Sequence, residues 1–236
     1  MLNSNHAKIV PLTREAGWIR TGLVVTLVID AALVVYSKLA APRISFISVI
    51  GPLFIILVYA IFTLMVLPVL DRRYPGITQR VLLFGLITGV IFGGEILLEY
   101  IFLPTDNTNY GLVEFGSVFF FWFLSGLMAG YRSKSIRQGI WTAVAAAIIS
   151  SVIWDGVLLI TLHAFHGTSQ QAAVWQAEGT LQDFANSGMK DFYTFTVEDL
   201  MGATFFHLLL GPTLAAVLGL VGGLFGKLFS RVRKTH

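Results

Sequence analysis

Long apolar runs separated by short polar segments dominate the chain. A helix that crosses the hydrocarbon core of a bilayer needs about 20 mostly apolar residues, and six runs reach that length. They are predicted at Gly17–Ser37, Ile44–Leu70, Gln79–Phe102, Phe115–Tyr131, Ile136–Phe165 and Glu198–Phe229. The runs lack the strict alternation of membrane strands. The pattern therefore predicts an all-α bundle of six transmembrane helices, forming a single integral membrane domain over residues 1–236.

The composition supports lipid as the solvent of this domain. Of the 236 residues, 56% are hydrophobic and 12% are charged, about half the charged share of soluble domains. There is no cysteine, which excludes disulfides and cysteine-bound metal centres. The end of the first run, Ser37–Pro42, lacks a small-x-small cleavage site, which favours a retained helix over a cleaved signal peptide.

The basic residues predict how the bundle is oriented. If the N-terminus is cytoplasmic, thirteen basic residues fall in inner segments and three fall in outer segments. The inner ones are Lys8, Arg14, Arg20, Arg72, Arg73, Arg80, Arg132, Lys134, Arg137, Lys227, Arg231, Arg233 and Lys234; the outer ones are Lys38, Arg43 and Lys190. This bias favours two cytoplasmic termini. Because the basic residues are dispersed, they indicate contact with anionic lipid headgroups and no nucleic-acid partner.

The longest connection is predicted on the outer side, at about His166–Val197. Within it, Gln170–Ala185 carries apolar residues at helical spacing, which indicates one amphipathic helix at the outer surface.

A weak internal similarity suggests duplicated hairpins. Val113-Glu114 and Val197-Glu198 each precede a short segment that ends in two phenylalanines. The third and fourth helices would then be a copy of the fifth and sixth, in parallel orientation.

The ionisable residues inside the apolar runs are the strongest indication of function, because each costs several kcal/mol unless it meets water or a partner. They are Asp30, Glu95, Glu99, Asp155, Glu198, Asp199 and His207. Counting about 1.5 Å per residue from the inner helix ends, we expect Glu95, Asp155 and His207 to line a polar cavity that opens outward. Glu99, Glu198 and Asp199 would form its acidic rim. Asp30 would lie apart from the others, nearer the midplane.

Each of these residues also has a simpler interpretation. Glu99, Glu198 and Asp199 could be ordinary interfacial residues in water, and His207 could be a hydrogen-bonded packing residue. A metal site built from Glu95, Asp155 and His207 stays open. The sequence identifies no cofactor.

The predicted cavity favours a transporter or a substrate-binding membrane subunit that takes a cation or a small-molecule substrate, with His207 as a pH-sensitive element. In its six helices and cytoplasmic termini, the chain resembles the substrate-capturing subunits of energy-coupling-factor vitamin transporters. This resemblance concerns architecture alone and rests on no motif.

Two other functions compete with transport. The chain could be a non-catalytic assembly subunit of a larger membrane complex. Small-residue stretches, namely Gly85, Gly89 and Gly93 together with Ala143–Ala147, would then dock another subunit. A membrane enzyme that uses Asp199 and His207 on a lipid is the third alternative. No phosphate-binding loop, Gly-x-Ser-x-Gly or His-Glu-x-x-His motif is present, so the sequence favours a protein that is not an enzyme and assigns no catalytic residue.

Overall fold

A computed structural model describes residues 14–74, 76–102 and 108–232, and the regular structure in these ranges is helical. The helices are α1 (Arg14–Ala40), α2 (Phe46–Ile61), α3 (Leu67–Arg73), α4 (Ile77–Phe102), α5 (Thr108–Ser133), α6 (Ile136–Ala164), α7 (Ser169–Ala177), α8 (Thr180–Ser187) and α9 (Phe192–Val232). A π-helical turn, Phe62–Val66, joins α2 to α3. Six spans are long and apolar enough to cross a membrane. The prediction of an all-α membrane bundle is confirmed, whereas the duplication of hairpins stays a prediction.

The second span is one continuous helical segment although it contains two prolines, Pro52 inside α2 and Pro68 near the start of α3. Pro68 has no N–H and cannot donate the usual bond to the preceding turn. The π-helical turn at Phe62–Val66 ends two residues before Pro68. Such turns accommodate a local break in the regular ladder of hydrogen bonds, so α2, the turn and α3 together form the span Phe46–Arg73.

Helix α6 is the centre of the bundle. In the apolar stretch of α6, 72% of the residues are buried, whereas the corresponding share in the other spans does not exceed 44%. Helices α4 and α9 pack along α6, α5 packs along α9, and α1 and α2 complete the bundle against α6 and α9. The small residues Ala143–Ala147 explain this position, because short side chains let neighbouring helices approach closely.

The glycines of α4 pack against another helix of the same chain. An added Cβ would lie 2.7 Å from Ile149 Cβ at Gly85 and 2.5 Å from Ile153 Cδ1 at Gly89. Both partners belong to α6. The stripe is therefore already covered by the protein's own core helix, and the docking face expected there for another subunit is occupied.

The outer connection differs from the prediction of a single helix over Gln170–Ala185. It contains two short helices, because Gly179 adopts a left-handed conformation with φ 78° and ends the first of them. Gln171 fixes α7 to the end of α6: its side-chain amide donates to the Leu162 carbonyl at 2.9 Å and accepts from the Gly167 N–H at 3.1 Å. Helix α9 then starts at Phe192, six residues before the predicted Glu198.

The two ends of the bundle differ in charge. We call the end formed by the last turn of α3, the first turn of α4, the α5–α6 connection and the last turn of α9 the basic end. The opposite end, which carries α7 and α8, is called the acidic end. Six apolar spans indicate an integral membrane protein; which end faces the cytoplasm stays a prediction from the distribution of basic residues.

Candidate functional site

Two carboxyl groups lie buried in the core of the bundle. Asp30 on α1 is 1% exposed and Asp155 on α6 is 0% exposed. Their closeness depends on Gly156, where an added Cβ would lie 2.8 Å from the Asp30 Oδ1 atom. The two groups interact through their charges but form no hydrogen bond with each other. We call them the core carboxyl pair.

The core carboxyl pair lacks the partners that buried polar groups normally have. All four carboxyl oxygens are without a hydrogen bond among the described residues. Thr204 on α9 lies close to Asp155, but its hydroxyl, also buried, forms no hydrogen bond of acceptable geometry. Buried polar groups are satisfied in nearly all proteins, so this place is suited to an additional proton or cation.

Tyr59 closes this region on the side of α2. Its ring is buried, its hydroxyl donates to the Leu208 carbonyl on α9, and it is near enough to Asp155 to interact with its charge. Because this hydroxyl already donates to a backbone carbonyl, its donor is not available to Asp155. The bond also ties α2 to α9 beside the core carboxyl pair.

A second group of acids lies near the acidic end. Glu95 on α4 and Glu114 on α5 lie close enough for a hydrogen bond between their carboxyl groups, and such a bond would require that one carboxyl carries a proton. Glu99 lies next to Glu95, and Glu178 follows α7. We call these four residues the acidic cluster. It brings together α4, α5 and the segment after α7.

Glu178 is the member of the acidic cluster outside the membrane-spanning helices. Its side chain is exposed at the surface, and neighbouring protein replaces part of the hydration shell of its carboxylate. This desolvation, followed by the charges of Glu99, Glu95 and Asp199, raises the pKa of Glu178 to about 7. The carboxyl group therefore titrates near neutral pH.

Aromatic rings connect four helices near these acids. His207 on α9 stacks on Trp154 of α6, with ring centroids 4.2 Å apart. Phe92 of α4 contacts Trp154 at 6.3 Å and Trp122 of α5 at 6.5 Å. The Nδ1 atom of His207 lies 2.9 Å from the Ala203 carbonyl. Since a carbonyl can only accept, Nδ1 carries the proton, and in the neutral ring Nε2 is then an acceptor.

The structure groups the sequence-predicted residues differently from the single cavity that we expected. Glu95 pairs with Glu114, whereas Asp155 lies beside Asp30, which the sequence had set apart. Glu198 accepts a hydrogen bond from Ser48 of α2 at 3.1 Å. Asp199 is exposed and interacts with the charge of Asp183 on α8.

Three residues that lie in or beside these groups were not identified as site residues from the sequence. Glu114 fell just outside the predicted fourth helix, although it shares an i, i+4 stripe with the buried Val118 and Trp122; this spacing could have identified it. Thr204 and Glu178 carry no such signal. Among the described residues, no group of three or more histidine, aspartate or glutamate side chains could hold a metal ion.

Comparisons place the chain in no known group. No family model, no curated protein and no solved structure matches it. The resemblance to energy-coupling-factor subunits therefore stays one of helix number and expected orientation.

Proposed function

We propose that the protein is a membrane transporter, or the substrate-binding membrane subunit of one, that binds a small cation inside its helix bundle. The observation that carries this proposal is the core carboxyl pair: two fully buried carboxyl groups whose oxygens have no hydrogen-bond partner among the described residues. An ionised carboxylate at this depth costs several kcal/mol. One proton together with one alkali cation, held by Asp30 and Asp155, would neutralise both carboxylates and remove that cost.

The acidic cluster supports an entry route from the acidic end. Carboxylates grouped at one end of a bundle raise the local concentration of cations. The basic residues favour a cytoplasmic location for the opposite end, so the acidic cluster would face outward. A cysteine in place of Ser133, in a chain without native cysteine, tests this orientation. An impermeant thiol reagent applied to sealed cells from outside should not label it, and labelling would reverse the assignment.

The packing of the small residues within the bundle favours transport over an assembly role. The glycines of α4 face α6 of the same chain, and Ala143, Ala145, Ala146 and Ala147 are buried. The surfaces that would have docked another subunit are thus consumed in the bundle itself.

The decisive experiment uses purified protein in proteoliposomes, with proton and sodium gradients as probes and a trapped pH or sodium indicator as the readout. Flux should fall about tenfold or more in Asp155→Asn and in Asp30→Asn, because each variant removes a buried charge that holds the cation. Asp71→Asn is the matched control. Asp71 accepts a bond from the Thr78 N–H at 3.3 Å at the basic end, and asparagine keeps that acceptor while removing the charge.

Two results would contradict the proposal. One is equal flux in all three variants. The other is the absence of cation-dependent flux in the wild type, combined with native mass spectrometry that shows a second chain in fixed stoichiometry and no retained ligand. The latter result would establish the assembly-subunit alternative.

A further inference from the structure

A cleft at the basic end gathers arginines from three different helix ends. It has a volume of about 280 Å³ and is lined by Arg73, Tyr74, Arg80, Arg132, Ser133 and Gln138. These residues come from the end of α3, the start of α4, the end of α5 and the start of α6. Of the described residues that line the cleft, none is acidic. We call this place the basic cleft.

The arginines are positioned by local contacts. The Arg80 Nε–H donates to the Gly76 carbonyl at 3.0 Å, which directs this guanidinium from the first turn of α4. The Arg73 guanidinium lies over the ring of Tyr74, 5.7 Å from its centroid. Arg132 is in the last turn of α5 and close enough to Arg80 for their charges to repel. A phosphate group in the cleft would be attracted by all three positive charges.

Phosphate oxygens fit this arrangement chemically. A guanidinium presents planar, paired N–H donors that match two oxygens of a phosphate group, and the Tyr74 hydroxyl and the Gln138 amide add neutral donors. The volume corresponds to about nine water molecules, which is enough for a phosphate group. The cleft is at the end of the bundle where lipid headgroups or the aqueous phase supply such groups.

We propose that the basic cleft is a specific binding site for a phosphate group, taken from the headgroup of an anionic phospholipid or from free phosphate. This site is separate from the core carboxyl pair and does not depend on cation transport. It goes beyond the general attraction of basic residues to a membrane surface, since Arg72 and Arg137 are at the same end and exposed but do not line the cleft.

These two neighbours provide matched controls. Arg73→Gln and Arg132→Gln each remove one cleft guanidinium. Arg72→Gln and Arg137→Gln remove the same charge from the same end outside the cleft. Binding of inorganic phosphate is measured by titration of the full chain in phosphatidylcholine nanodiscs. Retention of phosphatidylglycerol is measured by native mass spectrometry after extraction from vesicles containing equal parts phosphatidylglycerol and phosphatidylcholine.

Wild type should bind in at least one of the two assays. The cleft variants should bind about tenfold or more weakly there, because a charge-assisted hydrogen bond is worth that much, while the two controls stay near wild type. Binding of phosphate alone identifies the free anion as the source; retention of phosphatidylglycerol alone identifies the lipid headgroup. The proposal is overturned if wild type binds in neither assay. It is also overturned if all four variants lose the same amount, since the effect then belongs to the overall charge of the basic end.

Discussion

The bundle contains two pairs of neighbouring carboxyl groups that differ in their hydrogen-bond partners. Glu95 and Glu114 lie toward the acidic end, close enough to share a hydrogen bond. Asp30 and Asp155 are more deeply buried, interact only through their charges, and leave all their oxygens unpartnered within the described residues. The first pair is satisfied inside the protein once it holds one proton. The second pair has no hydrogen-bond partner among the described residues, and this difference is the reason that we propose it as the cation site.

The largest expected effect comes from neutralising each pair in turn. We expect the wild type to have a higher melting temperature in Na⁺ than in a bulky organic cation. The double variant Asp30→Asn/Asp155→Asn should abolish this rise, because the added ion loses both of its ligands. Glu95→Gln/Glu114→Gln should keep that rise, since this pair is satisfied without an added ion. Thermal unfolding in nanodiscs measures both. If the glutamate variant loses the rise and the aspartate variant keeps it, the functional pair is at the acidic end.

A smaller effect is expected from disturbing the approach of Asp30 without changing any charge. In Gly156→Ala the new methyl group would lie 2.8 Å from the Asp30 Oδ1 atom, which forces the carboxyl to move. Relative to Gly94→Ala, where nothing lies within 4 Å of the added Cβ, unfolding should become easier by about 1–3 kcal/mol. The control subtracts the gain in helix propensity of about 1 kcal/mol that both variants share.

The unfolding free energies of both variants are measured by denaturant titration in mixed micelles, with Na⁺ affinity as a second readout. We expect Gly156→Ala to weaken Na⁺ binding and Gly94→Ala to leave it unchanged. Equal stability and equal Na⁺ affinity in the two variants would show that the position of Asp30 beside Gly156 is unimportant.

The smallest effect concerns the pH dependence of the acidic cluster. The pKa of Glu178 is raised from 4.5 to about 7 in the folded protein, so the folded state binds its proton more tightly than the unfolded state. Its contribution to stability is therefore fully present below about pH 4.5 and is lost as the pH rises through about 7. Glu178→Gln should flatten this part of the melting-temperature profile between pH 4 and 8.

Asp183→Asn is the matched control for that profile, because Asp183 is an exposed acid on the neighbouring helix α8. We expect its profile to follow that of the wild type. A wild-type slope that persists unchanged in Glu178→Gln would assign the titration to another group.

The pattern of apolar and polar residues determined the architecture because the bilayer sets a strict length for each helix and requires every backbone group to bond within it. Six spans and their approximate ends follow from this rule alone. The rule also identified Asp30, Glu95 and Asp155 as costly residues. The start of the fourth predicted span was located less well. The corresponding helix, α5, begins at Thr108 and not at Phe115, so it includes Glu114.

Only the tertiary structure decided which of these residues meet. Periodicity fixes the face of a helix on which a side chain lies, but it contains nothing about which helix will cover that face. The contact of Asp30 with Gly156, the closeness of Glu95 to Glu114, and the convergence of Arg73, Arg80 and Arg132 each join side chains from different helices. The first of these contacts depends on the close approach of α1 to α6 at Gly156, and in all three the packing of whole helices selects the partners.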